Sequence, residues 1–331
     1  MNLFLCPTCG NALVGFPPAS CSCSHIIAVV DGVYQFTDDP ALAIDAQGLQ
    51  WLGYDAVGEH YEPAFALGQD IADFGLFGGC ARPLAQMLPP NATALDLGAG
   101  LGQAAIPLAL VGVRTIAADI SQRMMAAAHA RAQSHSAPPD HLLCARMNAY
   151  HLQLADHSLD AIIEMDLLHQ VDHPELVIQQ IRRVLKPGGT LAKFSSHGFE
   201  YTEEQKQQNA CYEAARRDIQ GFYENLMGEH PEPTPFDTWQ AAADCLATAF
   251  FPPEELISDE KISIPWTLEM GLYKTKTRAS ARQQMIDPAA HDAAWQQTER
   301  YATQKYGSTY QSISRTYNMR GVVSLYRLRP Q

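Results

Sequence analysis

Residues 94–109 read ALDLGAGLGQAAIPLA and decide the fold of this 331-residue chain. An apolar segment that contains Asp96 predicts a buried strand, and the apolar segment after the loop predicts a helix. Between them the loop carries Gly98, Gly100 and Gly102. Glycine lets backbone amides approach a ligand closely, and the amino end of a helix favours negative charge. The stretch therefore predicts a strand, a ligand-binding loop and a helix.

The alternation of strand and helix continues on both sides of this glycine loop. Strands are predicted at 93–97, 115–118, 142–146, 161–165, 191–195, 261–264 and 322–328, and helices at 80–88, 104–110, 122–132, 174–185 and 288–305. This alternation builds βαβ units, so the expected fold class is α/β with a mostly parallel, doubly wound sheet. Residues 199–250 interrupt it, and their polar helical pattern predicts a cap inserted over the carboxyl edge of the sheet.

The residues around the glycine loop indicate which kind of ligand it would bind. Asp119 ends the next strand about 20 residues after the loop, where a carboxylate can accept hydrogen bonds from ribose hydroxyls. Residues 100–105 also fit the dinucleotide fingerprint G-x-G-x-x-G/A. Counted from Gly98, however, Gln103 occupies the third-glycine position. Asp96 adds an acid beside the loop, which suits a ligand with a cationic amino group better than a pyrophosphate.

Four stretches together resemble the class I S-adenosylmethionine (SAM) methyltransferases, and most closely their ubiquinone-pathway-like, small-molecule branch. They are LDLGAGLG at 95–102, ADIS at 118–121, MNAYHLQLADHSLDAIIEMDLLHQV at 147–171 and IRRVLKPGGTLAKF at 181–194. The resemblance covers roughly residues 54–197. It implies a seven-stranded Rossmann-like sheet with a reversed last strand, in which 261–264 and 322–328 form the final pair.

The resemblance also implies where each part of SAM would bind. Asp96, Gly98 and Gly100 would hold the methionine end, Asp119 would hold the ribose, and Ile120 would pack on the adenine.

Further cofactor contacts are implied at the ends of later strands. Asn148 and Ala149 take the place of the family's Asp-Ala pair, with Asn148 near the adenine amino group. The asparagine can still accept a hydrogen bond there, although it lacks the charge. Glu164 and Met165 would line the methionine side, and Tyr61 matches a tyrosine of the family's N-terminal lid.

Candidate catalytic residues follow the same strand ends. Methyl transfer depends mostly on in-line positioning, with a base where the acceptor must lose a proton. His169 lies where the family often presents a histidine to the acceptor, so it is the candidate base; a loop or helix-cap role is the alternative. His197 and Tyr150 could reach the same cleft or lie on the surface. Residues 264–280 resemble an acceptor-side segment of the trans-aconitate-methyltransferase-like group, which would turn Trp266, Tyr273 and Arg278 toward the cap.

The N-terminal residues predict a zinc ribbon. Cys6, Cys9, Cys21, Cys23 and His25 offer five ligands for the four positions of a tetrahedral zinc ion. Cys6 and Cys9 form the knuckle, and Cys21 and Cys23 are unusually close for a pair. We therefore expect Cys6, Cys9, one of Cys21 and Cys23, and His25 to bind the ion. Four protein ligands leave no open position, so the role would be structural; reduced cysteines without metal are the alternative.

The charge distribution bears on what the ribbon binds. The order of a ribbon followed by a methyltransferase segment resembles bacterial ribosomal-RNA guanine-N1 methyltransferases, in which the ribbon helps to bind RNA. Residues 1–81 contain nine acidic residues and no lysine or arginine, and the whole chain has a net charge of −13. Nucleic-acid affinity comes mostly from basic side chains, so this composition argues against RNA. We expect a structural ribbon that folds against the cap or mediates self-association, for example as a homodimer.

Length and composition set the organisation. The expected divisions are a zinc ribbon at 1–38, a helical lid or linker at 39–80, a SAM-binding core at 81–198, the cap at 199–250 and the end of the core at 251–331. No apolar run approaches the roughly 20 residues of a membrane span, and no signal peptide is evident. The expected location is therefore the cytoplasm, where cysteines are more often ligands or buried thiols than disulfides.

These observations favour methyl transfer from SAM to an O, N or C nucleophile of a small molecule, with an anionic acceptor as one option. A second enzyme hypothesis is transfer of the aminocarboxypropyl group of SAM, or cyclisation of SAM, with release of methylthioadenosine. A third is methylation of a guanine in ribosomal RNA. A non-enzymatic scaffold is the remaining alternative.

Overall fold

A computed structural model describes residues 2–18, 21–37, 75–165, 167–171, 173–228, 235–259, 261–278 and 286–329. The strands are β1 (Asn2–Leu5), β2 (Ala12–Val14), β3 (Val29–Val30), β4 (Val33–Gln35), β5 (Thr93–Leu97), β6 (Arg114–Asp119), β7 (Leu142–Arg146), β8 (Leu159–Glu164), β9 (Leu185–Gly198), β10 (Glu254–Ile257), β11 (Ile262–Thr267) and β12 (Ser314–Arg327). The helices are α1 (Gly75–Met87), α2 (Ala105–Leu110), α3 (Gln122–Ser134), α4 (Pro174–Val184), α5 (Glu203–Met227), α6 (Pro235–Ala249), α7 (Leu268–Lys276) and α8 (Pro288–Tyr306), with short 3-10 helices at Leu168–Gln170 and Tyr310–Ser312. None of the helices in these ranges combines the length and hydrophobicity of a membrane span.

The centre of the molecule is a mixed sheet in the order β10-β12-β9-β8-β5-β6-β7-β4-β3. Strands β9, β8, β5, β6 and β7 run parallel, and β12 runs antiparallel to β9. Strand β5 is buried along its whole length, as expected of a central strand that helices cover on both faces. The expected doubly wound α/β fold with a reversed last strand is confirmed.

The last strands pair differently from the expectation. Strand β12 has 14 residues, which is long enough for two partners placed end to end. Its first part pairs with β11, and residues 322–325 pair with β10. The two strands expected as the final pair, β11 and β12, do pair, but residues 262–264 lie opposite residues 317–319, because β10 occupies the edge at 322–325.

The helical region does not form one cap from residues 199–250. Helix α5 packs with α7 and α8 beside the start of β12, around Tyr212, Tyr223, Leu268, Trp295 and Tyr310. Helix α6 instead packs on α4 and the 3-10 helix that follows β8. The segment is divided because its two helices bury their apolar sides against different parts of the chain.

The ribbon is joined to the edge of the main sheet. Strands β1 and β2 form a separate two-stranded sheet, whereas the β3–β4 hairpin extends the main sheet to ten strands by parallel pairing of β4 with β7. Its two-residue loop is Asp31-Gly32, with φ of +51° and +78°, as a type I′ turn requires. Phe4 and Phe36 stack at 5.2 Å in a core cluster shared with Leu154. The ribbon therefore packs against β7.

Candidate functional site

The glycine loop connects the carboxyl end of β5 to α2. Gly98, Gly100 and Gly102 have φ of +72°, +51° and +72°, a region in which other residues are strained. A Cβ atom at Gly98 would lie 3.1 Å from the Leu167 side chain, whereas one at Gly100 would meet nothing within 4 Å. Glycine is thus required at position 98 for both conformation and space, and Gly100 borders an open side of the loop.

Asp96 fixes this loop to the helix that follows it. Its side chain is buried, and Oδ2 accepts a hydrogen bond from the amide of Ala105 at 2.9 Å. Burial raises the pKa of the Asp96 carboxyl to about 7, while the Ala105 amide opposes and the Asp119 charge adds to this rise. The carboxylate therefore holds the start of α2, and its expected contact with the methionine end of SAM stays a prediction.

Asp119 lies directly beside the loop. Its Oδ2 accepts the amide of Gly100 at 3.0 Å, and its Oδ1 accepts the amide of Ser121 at 2.9 Å. These bonds join the end of β6 to the glycine loop and to the first turn of α3. The structure therefore brings together the two elements expected to bind the methionine end and the ribose.

The Asn148 turn lies next to the turn that follows β6. Arg146 donates a hydrogen bond from Nε to the carbonyl oxygen of Ile120 at 3.0 Å. Asn148 is buried, and its Oδ1 accepts the amide of Tyr150 at 2.9 Å. Ala149 packs against the central hydrophobic cluster. The expected adenine-side residues are thus neighbours, although no ligand contact tests their roles.

Glu164 ends β8 and is fully buried. Its Oε1 accepts the amides of Leu167 and Leu168 at 2.8 and 3.0 Å, and its Oε2 lies 3.0 Å from Nζ of Lys193. A buried carboxylate needs such partners, because an isolated buried charge is very costly. Glu164 thus fixes the turn whose Leu167 side chain lies against Gly98. Met165, the neighbouring candidate, packs against the cluster on the opposite face of the sheet.

The three catalytic candidates lie in different surroundings. His169 belongs to the 3-10 helix after β8 and lines a cavity. Tyr150 is half-buried, and its hydroxyl accepts the amide of His173 at 3.3 Å. His197 is exposed on β9, opposite Arg320 of β12. Neither Tyr150 nor His197 belongs to the lining of that cavity.

The cavity lies between α6 and the sheet and has a volume of about 400 Å³. Its apolar walls include Leu246, Phe250 and Tyr326. Its polar lining residues are Glu164, His169, Lys193 and Arg329. The acceptor-side candidates Trp266 and Arg278 lie elsewhere. Trp266 packs edge-on against Tyr317 at 5.8 Å, and Arg278 donates to the carbonyl oxygen of Ile286 at 2.7 Å.

Four cysteines of the ribbon form a compact cluster. The sulfur atoms of Cys6, Cys9, Cys21 and Cys23 all lie within 4.8 Å of one another. The Cys6–Cys23 and Cys9–Cys21 sulfur distances are 3.7 and 3.5 Å. Zinc–sulfur bonds of about 2.3 Å place sulfur atoms about 3.8 Å apart in a tetrahedron. The cluster therefore has the size and donor set of a tetrahedral zinc site.

Backbone amides favour the thiolate forms that bind metals. The amides of residues 8 and 9 point at the Cys6 sulfur, and that of Asn11 points at Cys9. The amide of Cys23 lowers the pKa of the Cys21 thiol to about 6, whereas at Cys9 the Asn11 amide is outweighed by the neighbouring thiols, which raise the pKa of Cys9 to about 12. Because only deprotonated cysteine is a good ligand, this arrangement suits a metal ion.

One expected ligand is not brought to the metal site. His25 is outside the cysteine cluster, and its Nδ1 lies 3.0 Å from the Thr8 hydroxyl. The expected set with His25 in place of one cysteine is thus not the one that the structure assembles, because Cys21 and Cys23 both reach the cluster. Tyr61 lies outside the described residues.

The sequence analysis did not identify Lys193 and Gln35 as residues that contact the site. Lys193 interrupts an otherwise apolar strand, and such a charge in a central strand needs a buried partner. Gln35 follows the Asp31-Gly32 hairpin signal, which could have shown that residues 29–35 form two strands. Neither signal identifies the partner residue, which is distant in sequence.

Comparison with known proteins agrees with this geometry. The model of the methyltransferase-domain family matches residues 95–192. A tRNA 5-carboxymethoxyuridine methyltransferase of Escherichia coli (strain K12) is 35% identical over 122 residues, which are 35% of this chain and 46% of that protein. A malonyl-[acyl-carrier protein] O-methyltransferase of Methylococcus capsulatus is 31% identical over 162 residues, or 46% of this chain and 54% of its own length. The ubiquinone/menaquinone biosynthesis C-methyltransferase UbiE of Rubrivivax gelatinosus is 30% identical over 138 residues, which are 41% of this chain and 51% of that protein.

The chain spans about half the length of the curated relatives it matches. Among solved structures, that of the [4+2]-cyclase SpnF aligns with 87% of this chain and 98% of its own, at 17% identity and a TM-score of 0.44. We take the fold from the strand order of the sheet and not from that alignment. Residues 95–192 of this chain thus match the methyltransferase-domain family, and the relatives that share this part of the chain are methyltransferases.

Proposed function

We propose that the chain is a methyltransferase that moves the methyl group of SAM to an O, N or C nucleophile of a small molecule. The observation that carries this proposal is the contact of the glycine loop with Asp119, inside the segment that matches the family. Ligands of open parallel sheets bind at the carboxyl ends of the strands, and both elements lie there.

The backbone geometry of the glycine loop supports SAM as its ligand. Gly100 has a positive φ and open space where a side chain would be, so its backbone can approach a ligand. SAM supplies a methyl group on a sulfonium centre when it is bound. In this proposal Gly98 and Gly100 orient its methionine end, while Asp119 accepts hydrogen bonds from its ribose. Asn148, Ala149 and Ile120 surround its adenine.

We propose a small acceptor that binds next to His169. The cavity that His169 lines has a volume typical of small-molecule sites, and its walls are mostly apolar. Lys193 and Arg329 border it, which favours an acceptor that carries a carboxylate or similar anion. His169 is the group that would accept a proton from the nucleophile, if the acceptor must lose one.

We also propose that Cys6, Cys9, Cys21 and Cys23 hold one structural zinc ion. The support is the tetrahedral spacing of their sulfur atoms and the amides directed at them. All four positions would be filled by protein, so the ion would stabilise the ribbon and take no part in catalysis.

The first experiment is to incubate the purified protein with SAM and identify the nucleoside product by mass spectrometry. Parallel reactions contain no acceptor, a small-molecule extract, or a purified RNA fraction. S-adenosylhomocysteine formed only with the small-molecule extract supports the proposal. Formation only with RNA would replace the acceptor class, and methylthioadenosine formed from SAM alone above the rate without enzyme would replace the reaction.

A further inference from the structure

The ribbon holds both ends of the segment that carries Asn148. At the first end, the amide of Phe36 donates to the carbonyl oxygen of Arg146 at 3.0 Å. At the other end, the amide of Leu5 donates to the carbonyl oxygen of Gln153 at 2.9 Å. The amide of residue 155 also donates to a ribbon carbonyl, that of residue 3, at 2.9 Å. The segment that carries Asn148 is therefore hydrogen-bonded to the ribbon at both ends, next to β4 at residue 146 and to β1 at residue 153.

The ribbon also contacts the turn that carries Asp119. Gln35 donates from Nε2 to Oε1 of Gln122 at 2.7 Å, and Gln122 donates from Nε2 to the carbonyl oxygen of Val30 at 3.1 Å. Gln122 begins α3, directly after Ser121, whose amide binds Asp119. Two glutamines thus connect the β3–β4 hairpin with the element that carries the ribose-side carboxylate.

The hairpin turn lies directly on the same helix. A Cβ atom at Gly32 would lie 2.3 Å from the ring of His129, which belongs to α3. A side chain at this turn would therefore require the His129 ring to move. The ribbon therefore touches α3 along one side and the Asn148 segment along the other.

The cysteine cluster connects the two parts of the ribbon that make these contacts. Cys6 directly follows β1, and Cys21 and Cys23 precede the β3–β4 hairpin. The sulfur atoms of both groups meet in one cluster. A module this small usually depends on its metal for folding, so an ion there would fix β1 and the hairpin relative to each other.

We propose that the ribbon positions the two turns that bind the adenosine part of SAM, so that metal occupancy and SAM affinity are coupled. Gln35 is a positioning residue in this proposal, because it acts on Asp119 through Gln122 and Ser121. The inference rests on the proposed SAM site and adds to it a role for the metal centre. Coupling is reciprocal, so SAM must also retain the metal by the same factor.

The test compares SAM affinity by isothermal titration calorimetry in four preparations: zinc-loaded wild type, wild type after metal removal with a chelator, zinc-loaded Gln35→Ala, and zinc-loaded Asn11→Ala. Asn11 is the matched control, because its side-chain amide donates to the Ser22 hydroxyl within the same ribbon, and alanine keeps the backbone amide that points at Cys9. We expect metal removal to weaken SAM binding about tenfold or more, within the usual range of coupling. Gln35→Ala should weaken it about five- to tenfold, as loss of one hydrogen bond implies, and Asn11→Ala should not change it.

Reciprocity gives a second measurement on the intact protein. At equilibrium with the competing chelator 4-(2-pyridylazo)resorcinol, saturating SAM should lower the fraction of zinc that leaves the protein, because SAM stabilises the zinc-bound state. Hydrogen exchange provides a third readout that needs no SAM: amides at 146–155 and 119–122 should exchange faster after metal removal.

The outcomes separate this proposal from the proposed function. Equal SAM affinity in the zinc-loaded, metal-free and Gln35→Ala proteins would overturn the coupling and leave the methyltransferase proposal intact. Absence of SAM binding in zinc-loaded wild type would overturn the proposed function. In that case, unchanged exchange at 146–155 after metal removal would overturn the positioning role as well. If metal removal unfolds the whole chain, zinc-loaded Gln35→Ala decides, and wild-type affinity in that variant refutes the proposal.

Discussion

The Glu164–Lys193 ion pair permits a quantitative prediction. Lys193 lies on β9, its side chain is 25% exposed, and its Nζ is 3.0 Å from Oε2 of the fully buried Glu164. Lys193→Met keeps a side chain of similar length and removes the charge. Among the described residues, Glu164 would then keep the amides of Leu167 and Leu168 as partners.

The expected loss of stability follows from these contacts. Removing one partner of a buried ion pair typically costs about 3–5 kcal/mol, because the other charge is left uncompensated. Two amide donors remain on Glu164, so we expect a loss of about 2–4 kcal/mol in the free energy of unfolding. The double variant Lys193→Met with Glu164→Gln removes both charges and keeps an oxygen for the two amides. It should therefore be more stable than Lys193→Met alone.

The assay is urea unfolding of both single variants and the double variant, followed by circular dichroism and by tryptophan fluorescence. The control is Lys206→Met, which removes an exposed lysine paired with Glu203 and should cost less than about 1 kcal/mol. A loss below about 1 kcal/mol for Lys193→Met would refute the reasoning, since a buried pair cannot be so weakly coupled. Strict additivity of the two single variants would refute it equally, because interacting residues give non-additive cycles.

Three further predictions concern the loop and the metal centre. The pKa of the Asp96 carboxyl is raised to about 7, so the folded state binds a proton more tightly than the unfolded state does. Its contribution to stability should therefore decrease as pH rises from about 4 to about 7, and Asp96→Asn should flatten that slope in urea unfolding measured at several pH values. Gly98→Ala should raise the dissociation constant for SAM in calorimetry by about tenfold, because residue 98 has φ of +72° and faces Leu167 at 3.1 Å. Cys21→Ser should lower the zinc content below one ion per chain in elemental analysis, whereas His25→Ala should leave it unchanged.

Each of these expectations has an outcome that contradicts it. An unchanged pH slope in Asp96→Asn would show that another group titrates. Wild-type SAM affinity in Gly98→Ala would mean that the loop accommodates a side chain at this position. Loss of zinc in His25→Ala with retention in Cys21→Ser would return His25 to the ligand set.

The sequence determined the central part of the fold because its signals are local. The strand 93–97 and the strand 142–146 were predicted with the bounds that the structure has, since each is a short buried run between turn residues. The helix predicted at 288–305 begins at Pro288 in the structure, where the side chain of Asp287 accepts the amide of Ala290 as a cap. The glycine loop and Asp119 were also identified from spacing, because a βαβ unit places consecutive strand ends at one edge.

Contacts between distant segments were decided only by the tertiary structure. Spacing alone left five candidate ligands, and the turns around Cys21 and Cys23 decided that both sulfur atoms reach the cluster while His25 does not. The pairing of β4 with the edge of β7 was not indicated by the sequence, and contact of the ribbon with the cap or with a second copy stays a prediction. Edge pairing uses backbone groups that every residue carries, so no local pattern encodes which strand it selects. The contacts Lys193–Glu164 and Gln35–Gln122 were also missed in the sequence, because the two residues of each pair are distant along the chain and only folding brings them together.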